Sequence, residues 1–243
     1  MKPYKQDNMT IHNADCMEVM KSFPDRHFDW AITDPPYFDG PQKLGYYRNG
    51  ESQVSQIKGV HSGGYWVNGG YDPIGEWAVP GKEYFDELKR VSKNQIIWGI
   101  NYYSIENLGS GRIIWDKVNG TSTFSDCEIA YISSIDSVRM FSFMWNGMLQ
   151  GDPSDGKKSQ GNKKLQEKRI HPTQKPIQLY KWLYANYAEE GQKILDTHLG
   201  SGSNAIAAHY AKVSEFVGCE LDEAYFEKSI ERIRKETRQL ELF

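Results

Sequence analysis

Near its C-terminal end the chain reads Lys193-Ile194-Leu195-Asp196-Thr197-His198-Leu199-Gly200-Ser201-Gly202, a short apolar strand that runs into a glycine turn. A helix is predicted over 204–212 and a further strand over 216–220. A helix linking two short strands lays them side by side in parallel, because parallel pairs need a crossover of this length. Gly200 and Gly202 permit tight backbone geometry and close approach of a ligand. Only charged, helical sequence follows, over 223–240. A nucleotide-binding turn ordinarily follows the first strand of its sheet. Here the other strands must come from upstream, a circular permutation of the usual order.

Those upstream strands are predicted at 9–13, 28–33, 95–100, 112–115 and 128–133, which with 193–196 and 216–220 make seven. Helical stretches fall at 16–22, 83–92 and 176–188, the last with proline at its first position. Strands alternating with helices predict an α/β fold with a doubly wound, mostly parallel seven-stranded sheet. At 243 residues one domain over 1–243 can bury such a sheet under helices. Residues 39–82 form a Gly/Tyr/Trp/Asn mixture, read as a lid or binding loop, with a disordered insertion as the plain alternative. Residues 150–169 are rich in Gly and Lys and also read as irregular.

A net charge of −3 excludes a global basic signature, so any nucleic acid must be met by local positive charge. Lys157, Lys158, Lys163, Lys164, Lys168 and Arg169 supply it in one segment where Glu167 is the only acid. The plain alternative is a solvated loop. Cys16, Cys127 and Cys219 are odd in number and widely spaced, which argues for a reducing compartment and against a structural zinc. The sequence has no apolar leader and no run of membrane-spanning length, so a cytoplasmic protein without a metal is expected.

The strand over 28–33 ends in Asp34-Pro35-Pro36-Tyr37. Two prolines fix φ and remove two N–H donors, so the chain leaves the strand stiff and extended. That sets out the Asp34 carboxylate, a Pro35 carbonyl that no following proline N–H can occupy, and the ring face of Tyr37. A flat group with an exocyclic amine suits the set. The alternative is a proline-terminated strand and a turn. His171-Pro172-Thr173-Gln174-Lys175-Pro176 opens a helix, where a lysine and a threonine hydroxyl make an anion site or a solvated cap. Glu220 stands 20 positions after Gly200, where an acid can accept from ribose hydroxyls. Gly200, Gly202 and Ala205 also satisfy a loose dinucleotide pattern, but the late position of the turn argues against a dehydrogenase.

Together the three motifs resemble the β-class amino-methyltransferases, in which the catalytic motif precedes the S-adenosylmethionine (SAM) motif, and the resemblance covers nearly the whole chain. It implies a SAM cofactor held by Asp15, Cys16, Asp34, His171, Thr173, Lys175, Asp196, His198, Gly200, Ser201, Gly202, Ser203, Glu220 and Leu221. Asp15, in Asn13-Ala14-Asp15-Cys16, matches the acid that approaches the cofactor adenine, and the 171–176 motif matches the segment at its methionine end. Asp34, Pro35, Pro36 and Tyr37 match the catalytic motif, which implies transfer to N6 of an adenine flipped out of DNA. Cytosine-N4 methylation uses the same acceptor geometry. RNA, a protein side-chain amide, or a non-catalytic DNA-binding subunit are further alternatives. Thr197-His198 stand where the family commonly has a Pro-Phe pair. The segment matching the family's target-recognition region, 137–169, is short, so sequence recognition is expected to be loose, or to rely on a partner subunit or on the 39–82 loop; a homodimer or a partner subunit is the expected assembly.

Overall fold

β-Branched and aromatic residues dominate the seven apolar runs, and each becomes a strand. The computed structural model describes residues 2–37, 78–120, 125–146, 149–152 and 166–238. The seven are β2 (Met9–His12), β3 (Phe28–Thr33), β4 (Ser92–Trp98), β5 (Arg112–Asp116), β6 (Cys127–Ile132), β10 (Lys193–Asp196) and β11 (Glu215–Cys219). Two edge strands, β1 (Tyr4–Gln6) and β7 (Val138–Ser142), extend the sheet to nine in the order β1-β2-β11-β10-β3-β4-β6-β5-β7. The expected count of seven is thus too low. Each edge strand pairs on one side only, and β7 leaves Val138 58% and Met140 64% exposed, so neither carries a buried apolar pattern. A hairpin of β8 (Met144–Asn146) and β9 (Leu149–Gly151) pairs separately, so the segment read as irregular from 150 begins inside a strand.

The run β2-β11-β10-β3-β4 is parallel, while β6 lies antiparallel between β4 and β5. Among the described residues five α-helices cover the two faces. α1 (Cys16–Lys21) and α2 (Lys82–Val91) pack on one, where Met20, Phe85 and Leu88 meet Phe28, Ala31, Ile97 and Leu195. On the other lie α3 (Ile177–Tyr187), α4 (Ser203–Tyr210) and α5 (Glu223–Arg238), whose Leu179, Leu183, Ile206 and Ile233 meet Ile11, Trp30, Ile32 and Trp98. Adjacent strand residues such as Trp30 and Ala31, or Ile96 and Ile97, feed opposite layers, as the two-residue strand period requires. Among the described residues no helix is long and apolar enough to cross a membrane.

The parallel strands end on one edge, in a crevice where α/β sheets collect ligands. Asp15 follows β2, Glu220 follows β11, Thr197 follows β10 and Asp34 follows β3. Long-range contacts lock these ends together. Asn13 Nδ2 donates to the carbonyls of Glu220 (2.9 Å) and Leu221 (3.1 Å). Asn204 Nδ2 donates to Asp196 Oδ2 and to the Ile32 carbonyl, both at 3.0 Å, bolting α4 to β10 and β3.

Candidate active site

At this crevice lies a cavity of about 680 Å³, within the range of small-molecule sites. It brings together Asp15, Cys16, Asp34, Pro35, Pro36, Tyr37, His171, Thr173, Lys175, His198, Gly200, Ser201, Ser203, Glu220 and Leu221, from both ends of the sequence. Asp196 and Gly202 do not line it. Asp196 is buried beneath the turn, accepting from Asn204 and from the His198 N–H (3.1 Å), and burial pushes its carboxyl up to about 7. Gly202 caps α4 at φ +76, where a Cβ would stand 3.0 Å from Ile233. Both residues shape the turn from behind. Of the basic segment, Lys157, Lys158, Lys163 and Lys164 lie outside the described residues. Lys168 is exposed and away from the cavity, and the Arg169 guanidinium stacks 4.6 Å over Trp145 and donates to its carbonyl.

Asp34 emerges from β3 with its two carboxylate oxygens differently placed. Oδ2 contacts the Lys175 ammonium, whereas Oδ1 is buried with no hydrogen-bond partner among the described residues. Lys175 also lies 2.9 Å from Glu128 Oε2, and Lys117 Nζ lies 2.6 Å from Glu128 Oε1, so four charges alternate in sign. Burial alone would push the Lys175 ammonium down, but Asp34 and Glu128 more than offset it and hold its pKa above the ordinary value. Burial would likewise raise Glu128, yet Lys175 and Lys117 bring it down to about 2. Asp34 moves the other way, raised by burial against the pull of Lys175.

The 171–176 motif therefore differs from its sequence reading in one respect. The anions at the start of α3 are the protein's own: Lys175 is taken by Asp34 and Glu128, and the Ile177 N–H donates to Glu167 Oε2 at 3.0 Å. Glu167 also contacts Arg232 of α5, whose guanidinium donates to the Ser201 carbonyl (2.7 Å) and Ser203 Oγ (2.9 Å). His171 is held by Thr173 through Nδ1 and packs edge-on against Tyr225, and burial, with Lys175 and Lys228 nearby, depresses it to about 3.

Tyr37 stacks on Tyr102 at 4.5 Å and 7° between planes, and it packs against Gly99, where a Cβ would come within 2.3 Å of its ring. The Tyr103 hydroxyl shares its one proton between the Pro35 (2.9 Å) and Pro36 (2.8 Å) carbonyls. The Pro35 carbonyl is thus occupied on one side, a departure from the free acceptor read from the sequence; one lone pair remains. Tyr102, Tyr103 and Glu128 carry little sequence signal: an Asn-Tyr-Tyr cluster at a strand end and an acid near a strand's start are both ordinary surface features.

On the opposite wall the register of β10 on β3, which pairs Leu195 with Ala31, carries on to bring Thr197 to Thr33. Their hydroxyls lie 2.5 Å apart, with Tyr84 OH 2.6 Å from Thr197. Thr197 Oγ1 also meets His198 Nδ1 at 2.9 Å, and burial depresses that imidazole to about 4, so it is neutral. Glu220 accepts from the N–H groups of Gly200 (2.8 Å) and Asp222 (3.0 Å), and burial raises it to about 7. Gly200 has φ +53 and its nearest neighbour to a Cβ is His171 at 3.9 Å, so the backbone is open to a ligand. Cys16 is pushed up to about 12, chiefly by burial, and Cys219 is raised too, so both cavity thiols are protonated.

The chain is similar to known proteins over nearly its full length. It is 25% identical to the Type II methyltransferase M.ScaI of Streptomyces caespitosus, covering 98% of this chain and 86% of that protein. With the Type II methyltransferase M2.MboI of Moraxella bovis it shares 24% identity over 98% and 93% of the two chains. The PvuII DNA methyltransferase, described as cytosine-N4-specific, superposes with a TM-score of 0.54 at 14% identity, over 98% of this chain and 95% of that one, and supports the fold. Residues 114–231 match the N6/N4 family of DNA methylases.

Proposed function

We propose that the protein is a SAM-dependent DNA methyltransferase that transfers a methyl group to the exocyclic N6 of an adenine flipped into the cavity. The observation that carries this reading is Asp34 Oδ1, a buried acceptor without a donor among the described residues, beside the Pro35 carbonyl and the Tyr37 ring. Leaving a buried acceptor unpaired is costly, so a ligand amine that donates to it is favoured. The similarity to DNA methylases over 114–231 agrees, although Asp34 lies outside that stretch.

The cavity suits the cofactor. Its volume admits a nucleoside with a methionyl tail, Glu220 offers a carboxylate for ribose hydroxyls, and Gly200 leaves backbone open at the turn. Asp15, Gly200 and Glu220 would hold the nucleoside, and His171, Thr173 and Ser201 would line the other end. When bound, SAM supplies an electrophilic methyl group. Adenine N6 is a poor nucleophile because its lone pair is delocalised into the ring. Asp34 and the remaining lone pair of Pro35 accept its two N–H groups, favour tetrahedral nitrogen and aim the lone pair across the cavity. Tyr37 stacks on the base and helps offset a flipping cost of a few kcal/mol. Carbon methylation of cytosine would need a thiolate, and both cavity thiols are held protonated. The β-class order of motifs and the 137–169 segment as the target-recognition region are part of the same proposal.

The test is methyl transfer from labelled SAM to DNA, followed by digestion to nucleosides. Label in N6-methyl-2′-deoxyadenosine is the expected result. Label in N4-methyl-2′-deoxycytidine would reassign the base but keep the mechanism, and SAM binding without label in DNA would refute the reading.

A further inference from the structure

The proposed chemistry leaves a proton to be placed. As the amine nitrogen bonds to the methyl carbon, the sulfur–methyl bond breaks and its electron pair stays on sulfur. The sulfonium charge then leaves as a proton on nitrogen. The group in reach is Asp34, whose Oδ2 already faces a buried ammonium. If Asp34 takes that proton it becomes neutral, and a lysine paired with it alone would be left as an uncompensated buried charge.

We infer that Glu128 is a positioning residue for Asp34: it keeps Lys175 paired and in place while Asp34 changes from carboxylate to acid, with Lys117 fixing Glu128 from outside. This rests on the function proposed above. Lys175 is only 4% exposed and reaches both carboxylates at once, with Glu128 Oε2 at 2.9 Å. Trp98 lies beneath it at 5.4 Å, so the ammonium has no route to water on that side. Lys117 braces Glu128 Oε1 at 2.6 Å and rests 5.3 Å from the Trp115 ring. The groups bearing on Asp34 are Lys175 before α3, Glu128 on β6, Lys117 after β5, Tyr37 and Tyr103 beside the motif, Tyr180 on α3 and Asp196 on β10. The arrangement is neutral with Asp34 ionised. With Asp34 protonated, Lys175 still faces one carboxylate.

Two substitutions separate this role from a structural one, because they act with opposite sign. In Glu128→Gln the ammonium is left to Asp34 alone, so the Asp34 titration should fall by about one pH unit or more. The acid limb of kcat should move with it, and kcat should drop about tenfold as the proton acceptor weakens. In Lys117→Met, Glu128 is no longer shared, and the same titration should rise. The readouts are the carboxyl ¹³C shift of Asp34 in the free protein, assigned with Asp34→Asn, and the pH profile of methyl transfer. SAM affinity by calorimetry should not change. An Asp34 titration that stays put, or that moves the same way in both variants, overturns the inference. If Glu128→Gln does not fold, the Lys117→Met shift alone decides. A wild-type protein that binds SAM but methylates no DNA, with both titration shifts present, would fell the functional reading and leave the positioning of Asp34 by Lys175 and Glu128 standing.

Discussion

Gly99→Ala adds one methyl group at a place where two costs coincide. Gly99 has φ +68, in the left-handed region, where an L-residue costs about 1–2 kcal/mol. The new Cβ would also stand 2.3 Å from Tyr37 Cδ1, so the ring must move, and overpacking of this kind costs about 1–3 kcal/mol. The sum is about 2–5 kcal/mol, read as a lower urea midpoint. Gly191→Ala serves as the control, since Gly191 has φ +84 and nothing among the described residues within 4 Å of a Cβ. It should lose only the backbone part and keep full activity. Gly99→Ala should in addition lose methyl transfer, because in the proposed mechanism a displaced Tyr37 would not stack on the base, while its SAM affinity by calorimetry should be retained. Equal destabilisation of the two variants, or a Gly99→Ala protein with wild-type turnover, would refute the claim that Gly99 exists to seat Tyr37.

Asp34→Ala should abolish methyl transfer and leave SAM binding largely intact; near-normal turnover would remove Asp34 from the mechanism. Glu220, raised to about 7 by burial, should bind SAM better as pH rises through about 7, since the anion is the better acceptor for ribose hydroxyls. For stability the sign reverses: a carboxyl whose folded pKa lies above its unfolded value contributes fully below about 4.5 and loses that contribution as pH rises through about 7. Glu220→Gln should remove both dependences, measured by calorimetry and urea titration at pH 5 and pH 8. Neutralising Lys157, Lys158, Lys163 and Lys164 together should weaken binding to all DNA sequences alike and lower the log–log salt slope by about one per contacting lysine, and an unchanged slope would make the segment a solvated surface.

The parallel part of the fold is legible because β2, β3, β10 and β11 are apolar runs closed by turn or cap residues, a signal local to each run. β1 and β7 escape because an edge strand need not bury its side chains. The site divides in the same way. Asp34 to Tyr37 and the glycine turn are contiguous motifs, and the cavity collects them. The partner of Lys175 is not contiguous with it: Glu128 becomes visible only when β6 folds against β4 and brings its second residue to the segment before α3. Arg169 fails as a surface charge for the same reason, because Trp145, 24 residues earlier, captures it. Tyr103 acts on carbonyls 67 and 68 residues upstream, a relation that spacing cannot reveal.

Arg232 ties the carbonyl of Ser201 to α5, and Asn13 reaches across 207 positions to Glu220. During synthesis Asp15 and Asp34 leave the ribosome early, but the glycine turn that completes their cavity gains its brace only when α5 is out. At roughly 5–20 residues per second that interval lasts about 10–40 seconds. Through it neither wall of the cavity is complete, since Asp34 waits for Lys175 and β3 for β10, so the site closes as one unit at the end of synthesis.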